Sequence, residues 1–251
     1  MNKSILIVGY GTVGSNLHEE IRKLNPEIYD NYKEIDTRTK DHYDAIFVCV
    51  DTPYISEEIP CDTSAVKDVI QSHSADLFII KSTIEVGTTD RLISETNKNI
   101  VFSPEYYGGT HHANAVFYPF TIFGGHPDLT AKAVQIMQYV YTGKHTFKMV
   151  DAKTAELTKY MENSFLATKV SFMNSFWNIC QETGIKFEQL RELFLLDPRM
   201  SPYHTYVYED HPYWQTHCLD KDVTSIALQF DNKFLKSVIA FNEEQKKSFK
   251  K

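Results

Sequence analysis

The chain has 251 residues, enough for one large domain or two modest ones, and 42% hydrophobic and 24% charged residues are ordinary for a globular protein. A formal charge of −7 argues against nucleic acid or an anionic membrane surface as the main partner. No apolar run approaches the roughly 18 residues of a membrane span, and the N-terminal block is too short for a signal peptide. The four cysteines lack the paired spacing of a disulfide framework or a metal site, so we expect a reduced cytoplasmic protein.

A glycine-rich turn follows the first predicted strand. Residues 4–8 are a short apolar run typical of a buried parallel strand, and GYGTVG at 9–14 leads into a helical pattern. Gly9 suits the tight turn, Gly11 lets a pyrophosphate approach the backbone, and Gly14 lets the helix pack on the strand. The phosphates would lie at the positive end of that helix. The cofactor-binding residues predicted for this turn are Gly9, Gly11, Thr12, Val13 and Gly14.

A dinucleotide fold of this kind also needs an acidic residue after its second strand, to hold the ribose hydroxyls. Residues 27–29 can form that strand, and we prefer Asp30 to Asp36 because Asp30 directly follows an apolar pair. An acid at this position favours NAD over NADP, although Lys33 and Arg38 keep NADP open. For either Asp the alternative is a polar loop residue.

Strands and helices then alternate along the first half of the chain. Apolar runs predict three further buried strands, at 45–50, 77–81 and 100–102, with helices between them near 65–71 and 88–95. The alternation implies right-handed crossovers and one parallel sheet. The remaining elements predicted before a domain boundary at residue 150 are a strand at 117–123, a helix at 129–140 and a strand at 146–150.

Polar side chains stand at the carboxyl ends of three of these strands, where ligands gather in parallel sheets. They are Thr52, Thr83 and Glu105. Each alone is more often a turn or cap residue. Three in succession beside a dinucleotide loop favour a shared cleft.

A long helix is predicted over residues 151–184, about 50 Å in length, with its one glycine at the C-terminal cap. Lys159 and Asn163 are four residues apart and project from one side of it. A solvated face explains such a pair when it is considered alone, but the motifs on both sides favour a functional role. The apolar positions that give the helical spacing are Leu157, Met161, Phe165, Leu166, Val170, Met173 and Phe176.

The last third of the chain is predicted to be helical where it is regular, with helices at 187–196 and 223–241. Between them, residues 199–217 are irregular, aromatic and rich in His. A loop of that length is usually functional or mobile. His211 and His217 lack the spacing of metal ligands, so no metal site is predicted.

Cys218 follows this loop and is predicted to lie just ahead of the helix N-terminus. The helix dipole and the nearby Lys221 would lower the pKa of its thiol, and Asp222 would place a carboxylate near the same point. The alternative is a buried, inert cysteine. We favour a reactive thiol because its surroundings are polar and loop-like.

Together these residues resemble the UDP-glucose/GDP-mannose dehydrogenase family. The matching motifs, in the family's order, are GYGTVG (9–14), CVDTP (49–53), KSTIEVGTT (81–89), SPEY (103–106), AELTKYMENSFLATKVSF (155–172), DPRM (197–200) and CLDKD (218–222). The resemblance implies an α/β fold with an N-terminal Rossmann-type doubly wound parallel sheet over 1–150 that binds NAD. An all-helical substrate and dimerisation domain over 151–251 would follow, built on the 151–184 helix and forming a homodimer through it.

The resemblance also implies an activity, the oxidation of a nucleotide-sugar primary alcohol to a carboxylate with two NAD. Cys218 would then be the nucleophile, which carries a thiohemiacetal and then a thioester. Lys159 and Asn163 would stabilise the developing oxyanion, and Lys159 would also manage a proton. The other implied roles are Asp222 and Thr83 holding the hydrolytic water, Glu105 as the base for thioester hydrolysis, and Arg199 and Lys221 binding substrate, Arg199 across the dimer.

Several positions depart from the family pattern. Residues 213–217 stand where a Gly-rich loop normally precedes the cysteine, Asp220 stands where a non-acidic residue is usual, and 106–109 replace Phe-Leu-Arg. The sequence stops at Lys251, where family members usually continue into another Rossmann-like domain. Another polypeptide provides that domain, or the substrate is held without it.

Two alternatives therefore stay open. One is a β-hydroxyacid-type dehydrogenase, which makes a single hydride transfer and needs no cysteine. The other is a non-catalytic NAD-binding relative.

Overall fold

Two units make up the computed structural model, which describes residues 3–107, 118–141 and 143–249. One unit contains Met1–Ile55 and Cys61–Lys159, and the other contains Ser56–Pro60 and Tyr160–Lys251. The predicted domain boundary after residue 150 stays a prediction. No helix among the described residues is both long enough and apolar enough to cross a bilayer.

The first unit is built on an eight-stranded sheet with the order β3-β2-β1-β4-β5-β6-β7-β8. The neighbouring strands pair in parallel, except that β3 is antiparallel to β2 and β7 is antiparallel to β6. The strands are β1 (Ile5–Val8), β2 (Glu27–Asp30), β3 (Ile35–Asp36), β4 (Ala45–Val48), β5 (Phe78–Ile80), β6 (Ile100–Phe102), β7 (Phe120–Gly124) and β8 (Thr146–Val150). The helices are α1 (Thr12–Glu20), α2 (Ser64–Ser72), α3 (Thr88–Thr96) and α4 (Pro127–Met137), with a 3-10 turn at Arg22–Leu24.

The central strands are apolar on both faces because helices cover both sides of the sheet. Ile5 and Ile7 of β1 pack on the side of α1 and α4, whereas Leu6 and Val8 pack on the side of α2 and α3. The chain order reverses between β1 and β4, and ligands of doubly wound sheets bind beside such a switch point. The predicted α/β doubly wound fold is confirmed.

The prediction of one parallel sheet is wrong at two places, because β3 and β7 each pair antiparallel with a neighbouring strand. The short strand β3 was not predicted, because two residues carry no usable periodicity. Phe117, the first residue of the strand predicted at 117–123, lies outside the described residues, and β7 begins at Phe120 and ends at Gly124.

The second unit is helical. The long helix α5 (Ala152–Thr183) enters it from the first unit, and α6 (Phe187–Phe194), α7 (His217–Gln229) and α8 (Lys233–Phe249) follow. The prediction of one helix at 223–241 is wrong, because Asp231 adopts a left-handed φ of 47° and separates α7 from α8. The prediction that Cys218 precedes the helix is also wrong, since α7 begins at His217 and Cys218 lies in its first turn.

The buried face of α5 mixes polar with apolar side chains, and its exposed face carries large apolar ones. Lys159 and Asn163 are buried, whereas most of the apolar side chains that gave the helical spacing are exposed. Met161 is 73% exposed and Phe165 is 62% exposed. The exposed apolar face consists of Leu157, Met161, Phe165, Phe172, Phe176 and Ile179.

One buried carboxylate fastens the start of α5 to α3. Glu156 accepts hydrogen bonds from the backbone N–H of Gly87 at 2.6 Å, and from the N–H and hydroxyl of Thr89 at 2.9 and 2.6 Å. It therefore caps the N-terminus of α3, where Gly87 offers no side chain of its own. Burial raises the pKa of the Glu156 carboxyl, and the bonds from Thr89 and Gly87 oppose that rise.

We expect Glu156→Gln to lower the free energy of unfolding by roughly 2 kcal/mol, because the amide NH2 would face a backbone donor in a buried site. Urea denaturation monitored by circular dichroism measures this loss. Glu182→Gln, at an exposed position of the same helix, is the matched control and should leave the midpoint unchanged. Equal midpoints for the two variants would contradict a capping role for Glu156.

Candidate active site

The glycine turn after β1 divides its glycines between two tasks. A Cβ on Gly9, whose φ is +92°, would lie 2.5 Å from the Cys49 carbonyl oxygen, and one on Gly14 would lie 1.9 Å from the Gly9 carbonyl oxygen. Both positions therefore need glycine, because a neighbouring backbone carbonyl lies too close to leave room for a side chain. Gly11 is exposed, and a Cβ there would meet nothing within 4 Å. Gly11 is also the N-cap of α1, and no side chain caps that helix end.

Asp30 ends β2 and is bonded to the same turn. Its carboxylate accepts the backbone N–H of Tyr10 at 2.6 Å and that of Lys33 at 3.0 Å. A helix N-terminus with an open glycine beside a fixed carboxylate fits the pyrophosphate and ribose of a dinucleotide. The residues present therefore fit NAD.

Asp36 was the alternative acid, and Lys33 and Arg38 kept NADP open as the cofactor. All three side chains are bonded to other groups of the chain. Asp36 lies in β3 and forms an ion pair with Arg38 at 2.7 Å, and the Arg38 guanidinium lies 3.8 Å from the Tyr29 ring centroid. The Lys33 ammonium donates to the Tyr10 carbonyl at 2.7 Å. Asp30 is thus the acid that borders the glycine turn.

The loops after β4 and β5 are joined by a polar contact. Thr52 is buried and its hydroxyl donates to the Thr83 carbonyl at 2.7 Å. Thr83 itself is partly exposed at the carboxyl end of β5. Two of the three predicted strand-end residues are therefore neighbours.

The third strand-end residue, Glu105, pairs with Lys159. Both side chains are buried, with 3.2 Å between the ammonium and one carboxylate oxygen. The Lys159 ammonium also donates to the Glu105 carbonyl at 2.7 Å, and the other carboxylate oxygen accepts the N–H of Tyr107 at 2.7 Å. A buried, hydrogen-bonded ammonium and carboxylate in contact hold each other in place, so they need little reorganisation when a charge develops beside them.

Lys81, which was not among the predicted site residues, supports the segment that leads to Glu105. It is buried at the end of β5, donating to the Ser103 hydroxyl at 3.2 Å and to the Pro104 carbonyl at 3.1 Å. Burial lowers the pKa of its ammonium. The signal for it was a lysine that directly follows an apolar strand, LFIIK.

In the second unit, Cys218 occupies the second position of α7. The N-cap is Thr216, whose hydroxyl oxygen accepts the Leu219 N–H at 3.0 Å. Cys218 is exposed, whereas the other three cysteines of the chain are buried. A thiol in the first turn of a helix lies at its positive end, where a thiolate is stabilised.

Asp222, one turn after Cys218, is held from two sides. The Asn163 amide donates to one carboxylate oxygen at 2.6 Å, and the Lys221 ammonium lies 2.6 Å from the other. All three side chains are buried. The amide and the ammonium together compensate the buried carboxylate and fix its orientation.

Arg199 is the predicted substrate residue that has no place in these clusters. Its guanidinium pairs with Asp197 in its own loop at 2.6 Å, and its side chain is 81% exposed. Nothing in this geometry assigns it a substrate. Its role stays a prediction.

Residues 15–144 match the family model for the NAD binding domain of the UDP-glucose/GDP-mannose dehydrogenase family, and residues 153–244 match the model for that family's central domain. UDP-glucose 6-dehydrogenase of Rickettsia prowazekii is 28% identical over 220 residues, covering 80% of this chain and 50% of its own. UDP-N-acetyl-D-mannosamine dehydrogenase of Methanocaldococcus jannaschii is 28% identical over 225 residues, covering 78% of this chain and 52% of its own.

Among solved structures, a UDP-glucose dehydrogenase from the hyperthermophilic archaeon Pyrobaculum islandicum matches with a TM-score of 0.80 at 19% identity. The match covers 97% of this chain and 68% of that one, and it supports the fold. The chain spans about half the length of the curated relatives it matches.

The two kinds of glycine in the turn give a matched pair of variants. We expect Gly11→Ala to fold normally, since its φ of −74° suits alanine, but to weaken NAD binding at least tenfold because a methyl group would meet the pyrophosphate. Gly14→Ala should instead lower the melting temperature, because its Cβ clashes with backbone. NAD titration by calorimetry and thermal melts measure the two effects, and unchanged NAD affinity in Gly11→Ala would refute the assignment.

Proposed function

The chain belongs to the UDP-glucose/GDP-mannose dehydrogenase family, as its motifs predicted, and on that premise we propose that it oxidises the primary alcohol of a nucleotide sugar to a carboxylate with NAD. The observation that carries the proposal is an exposed thiol in the first turn of α7, one turn before a buried, doubly held carboxylate. That arrangement suits covalent capture of an aldehyde followed by hydrolysis.

Bound NAD+ supplies the hydride acceptor, once for the alcohol and once for the captured aldehyde. Lys159 and Glu105 are assigned to the first oxidation, in which the alcohol loses a proton as its carbon loses a hydride. Their contact of 3.2 Å lets the ammonium hold the developing oxyanion while the carboxylate accepts the proton.

Cys218 is assigned the covalent step. Its thiolate adds to the aldehyde carbon, and the oxygen that becomes negative takes up a proton to give a thiohemiacetal. Loss of a second hydride and that proton leaves a thioester. Water then adds to the thioester carbonyl while Glu105, its proton from the oxidation already passed to solvent, serves as the base that accepts a proton from that water. The thiolate departs as the carboxylate forms, and the remaining proton passes to solvent.

Asp222 is assigned to orient the water, since its carboxylate is fixed by Asn163 and Lys221 in a buried position. The Asn163 amide is assigned as an oxyanion donor. Lys221 and Arg199 are assigned to the substrate on the family resemblance.

We also propose that a second copy of the chain covers the exposed apolar face of α5. Six large apolar side chains on one helix face exceed what a monomer usually leaves in water. A self-complementary stripe is what a two-fold interface requires. The family resemblance points to the same helix.

The activity is tested by replacing the thiol. Cys218→Ser should abolish carboxylate formation across a panel of UDP- and GDP-sugars, while NAD binding stays within twofold of the wild type. The wild type should form two NADH per substrate, measured by absorbance at the end point. One NADH per substrate, or normal turnover by Cys218→Ser, would refute the thioester route, and a single NADH would favour a β-hydroxyacid-type reaction.

The interface is tested by a charge on the apolar face. Phe165→Asp should convert a dimer to a monomer in light scattering at micromolar concentration, because the interface would have to bury a carboxylate. Phe234→Asp on α8 is the matched control, since both Phe side chains are 62% exposed. A dimer that survives Phe165→Asp, or a wild-type monomer, would contradict this assembly.

A further inference from the structure

The loop that precedes Cys218 is bonded to α8 through one asparagine. The Trp214 N–H donates to the Asn242 side-chain oxygen at 2.9 Å, and the Asn242 amide donates back to the Trp214 carbonyl at 2.9 Å. Both residues are buried. Asn242 thus satisfies the donor and the acceptor of one peptide residue, which fixes the chain path four residues before the thiol.

A lysine one turn further along α8 makes the second attachment. The Lys246 ammonium donates to one Asp220 carboxylate oxygen at 2.7 Å and to the Glu243 carboxylate of its own helix at 2.9 Å, and it lies 5.4 Å from the Trp214 ring centroid. The other Asp220 oxygen accepts the Thr216 N–H at 2.7 Å. Asp220 therefore links α8 to the N-cap of α7.

These two attachments flank Cys218 on both sides. Trp214 precedes it by four residues and Asp220 follows it by two, and the Trp214 indole also donates to the Ser171 hydroxyl of α5 at 2.9 Å. Helix ends ordinarily fray. Here the first turn of α7 is bonded to a neighbouring helix at the residues that determine where the thiol lies.

Asn242 and Lys246 of α8 find their partners in the segment around Cys218. Lys246, Asn242 and Trp214 are all buried, and burying their polar groups is favourable only when each is paired. Lys236 on the same helix forms an ion pair with Asp231 at 2.5 Å, but that pair is exposed and lies at the far end of α8. The buried polar groups of α8 named here are directed at the Cys218 turn.

We infer that Asn242 and Lys246 are positioning residues for Cys218, acting through Trp214 and Asp220 to hold the first turn of α7 in one conformation. The inference rests on the proposed function for its kinetic consequence, but its structural consequence does not need activity. A thiol displaced by about 1 Å from its target carbon loses on the order of 100-fold in rate.

The structural consequence is measured by hydrogen–deuterium exchange of the full-length protein. In Lys246→Met, which keeps the aliphatic stem, the amides of residues 215–220 should exchange at least tenfold faster, while those of β1 and β4 stay unchanged. Lys236→Met is the matched control and should exchange like the wild type. Lys246→Arg should restore the protection, because a guanidinium can still donate to Asp220.

A double-mutant cycle shows whether the two residues act through each other. Asp220→Asn and Lys246→Met should each speed exchange, and the double variant should be no faster than the worse single variant. Asn242→Asp is an independent test, because it keeps the acceptor for the Trp214 N–H and removes the donor to the Trp214 carbonyl. It should also speed exchange in the same segment.

The kinetic consequence is a lower kcat with an unchanged KM for NAD. Lys246→Met should lower kcat for NADH formation by about 10- to 100-fold with KM for NAD unchanged, and Lys246→Arg should recover most of it. Exchange and kcat identical to those of Lys236→Met would overturn the inference while leaving the proposed function intact. Global unfolding in place of a local change in Lys246→Met would also overturn it.

If the wild type forms no NADH from any nucleotide sugar, the proposed function fails. Faster exchange confined to 215–220 in Lys246→Met would then still support the positioning role. The two failures are thus distinguishable in one set of variants.

Discussion

The buried carboxylate of Glu156 sets the position of the long helix, and much of the first unit's chemistry depends on it. Because α5 rises 1.5 Å and turns 100° per residue, a slip of one residue would carry Lys159 away from Glu105. Glu156 prevents that slip by accepting three hydrogen bonds at the start of α3. Lys159 lies three residues later, on the next turn, and so reaches both the carbonyl and the carboxylate of Glu105.

The sequence revealed that α5 is a helix but not which face is buried. Periodicity shows only that apolar residues share a face, and an interior or a second chain can cover that face equally well. Here Met161 and Phe165 are exposed. Lys159 and Asn163 are buried because each has a hydrogen-bond acceptor, the Glu105 carbonyl for Lys159 and the Asp222 carboxylate for Asn163. These partners lie 54 and 59 residues away in the chain, so no local sequence pattern predicts them.

The same distinction explains what was predictable elsewhere. The alternating strands, the glycine turn and Asp30 follow from short-range patterns with a fixed physical cause, and the sheet order agrees with them. The start of α7 was misplaced because Thr216 caps its first turn by accepting the Leu219 N–H and Asp220 accepts the Thr216 N–H, and apolar periodicity indicates neither contact. The break between α7 and α8 at Asp231 was not predicted, because a non-glycine residue in the left-handed region has little sequence signal.

Three buried lysines in these clusters each meet a carboxylate, at 3.2 Å for Lys159 with Glu105, 2.6 Å for Lys221 with Asp222 and 2.7 Å for Lys246 with Asp220. The Lys159–Glu105 and Lys221–Asp222 pairs are close to neutral as units, which removes most of the cost of burying either charge alone, whereas Lys246 also pairs with Glu243 at 2.9 Å and both of its carboxylate partners are partly exposed. Removing one member would leave the other uncompensated, so these positions tolerate paired replacement better than single replacement. Charges fixed in this way need little reorganisation when a nearby oxygen becomes negative, which is the electrostatic condition that the two proposed steps, dehydrogenation and thioester hydrolysis, share.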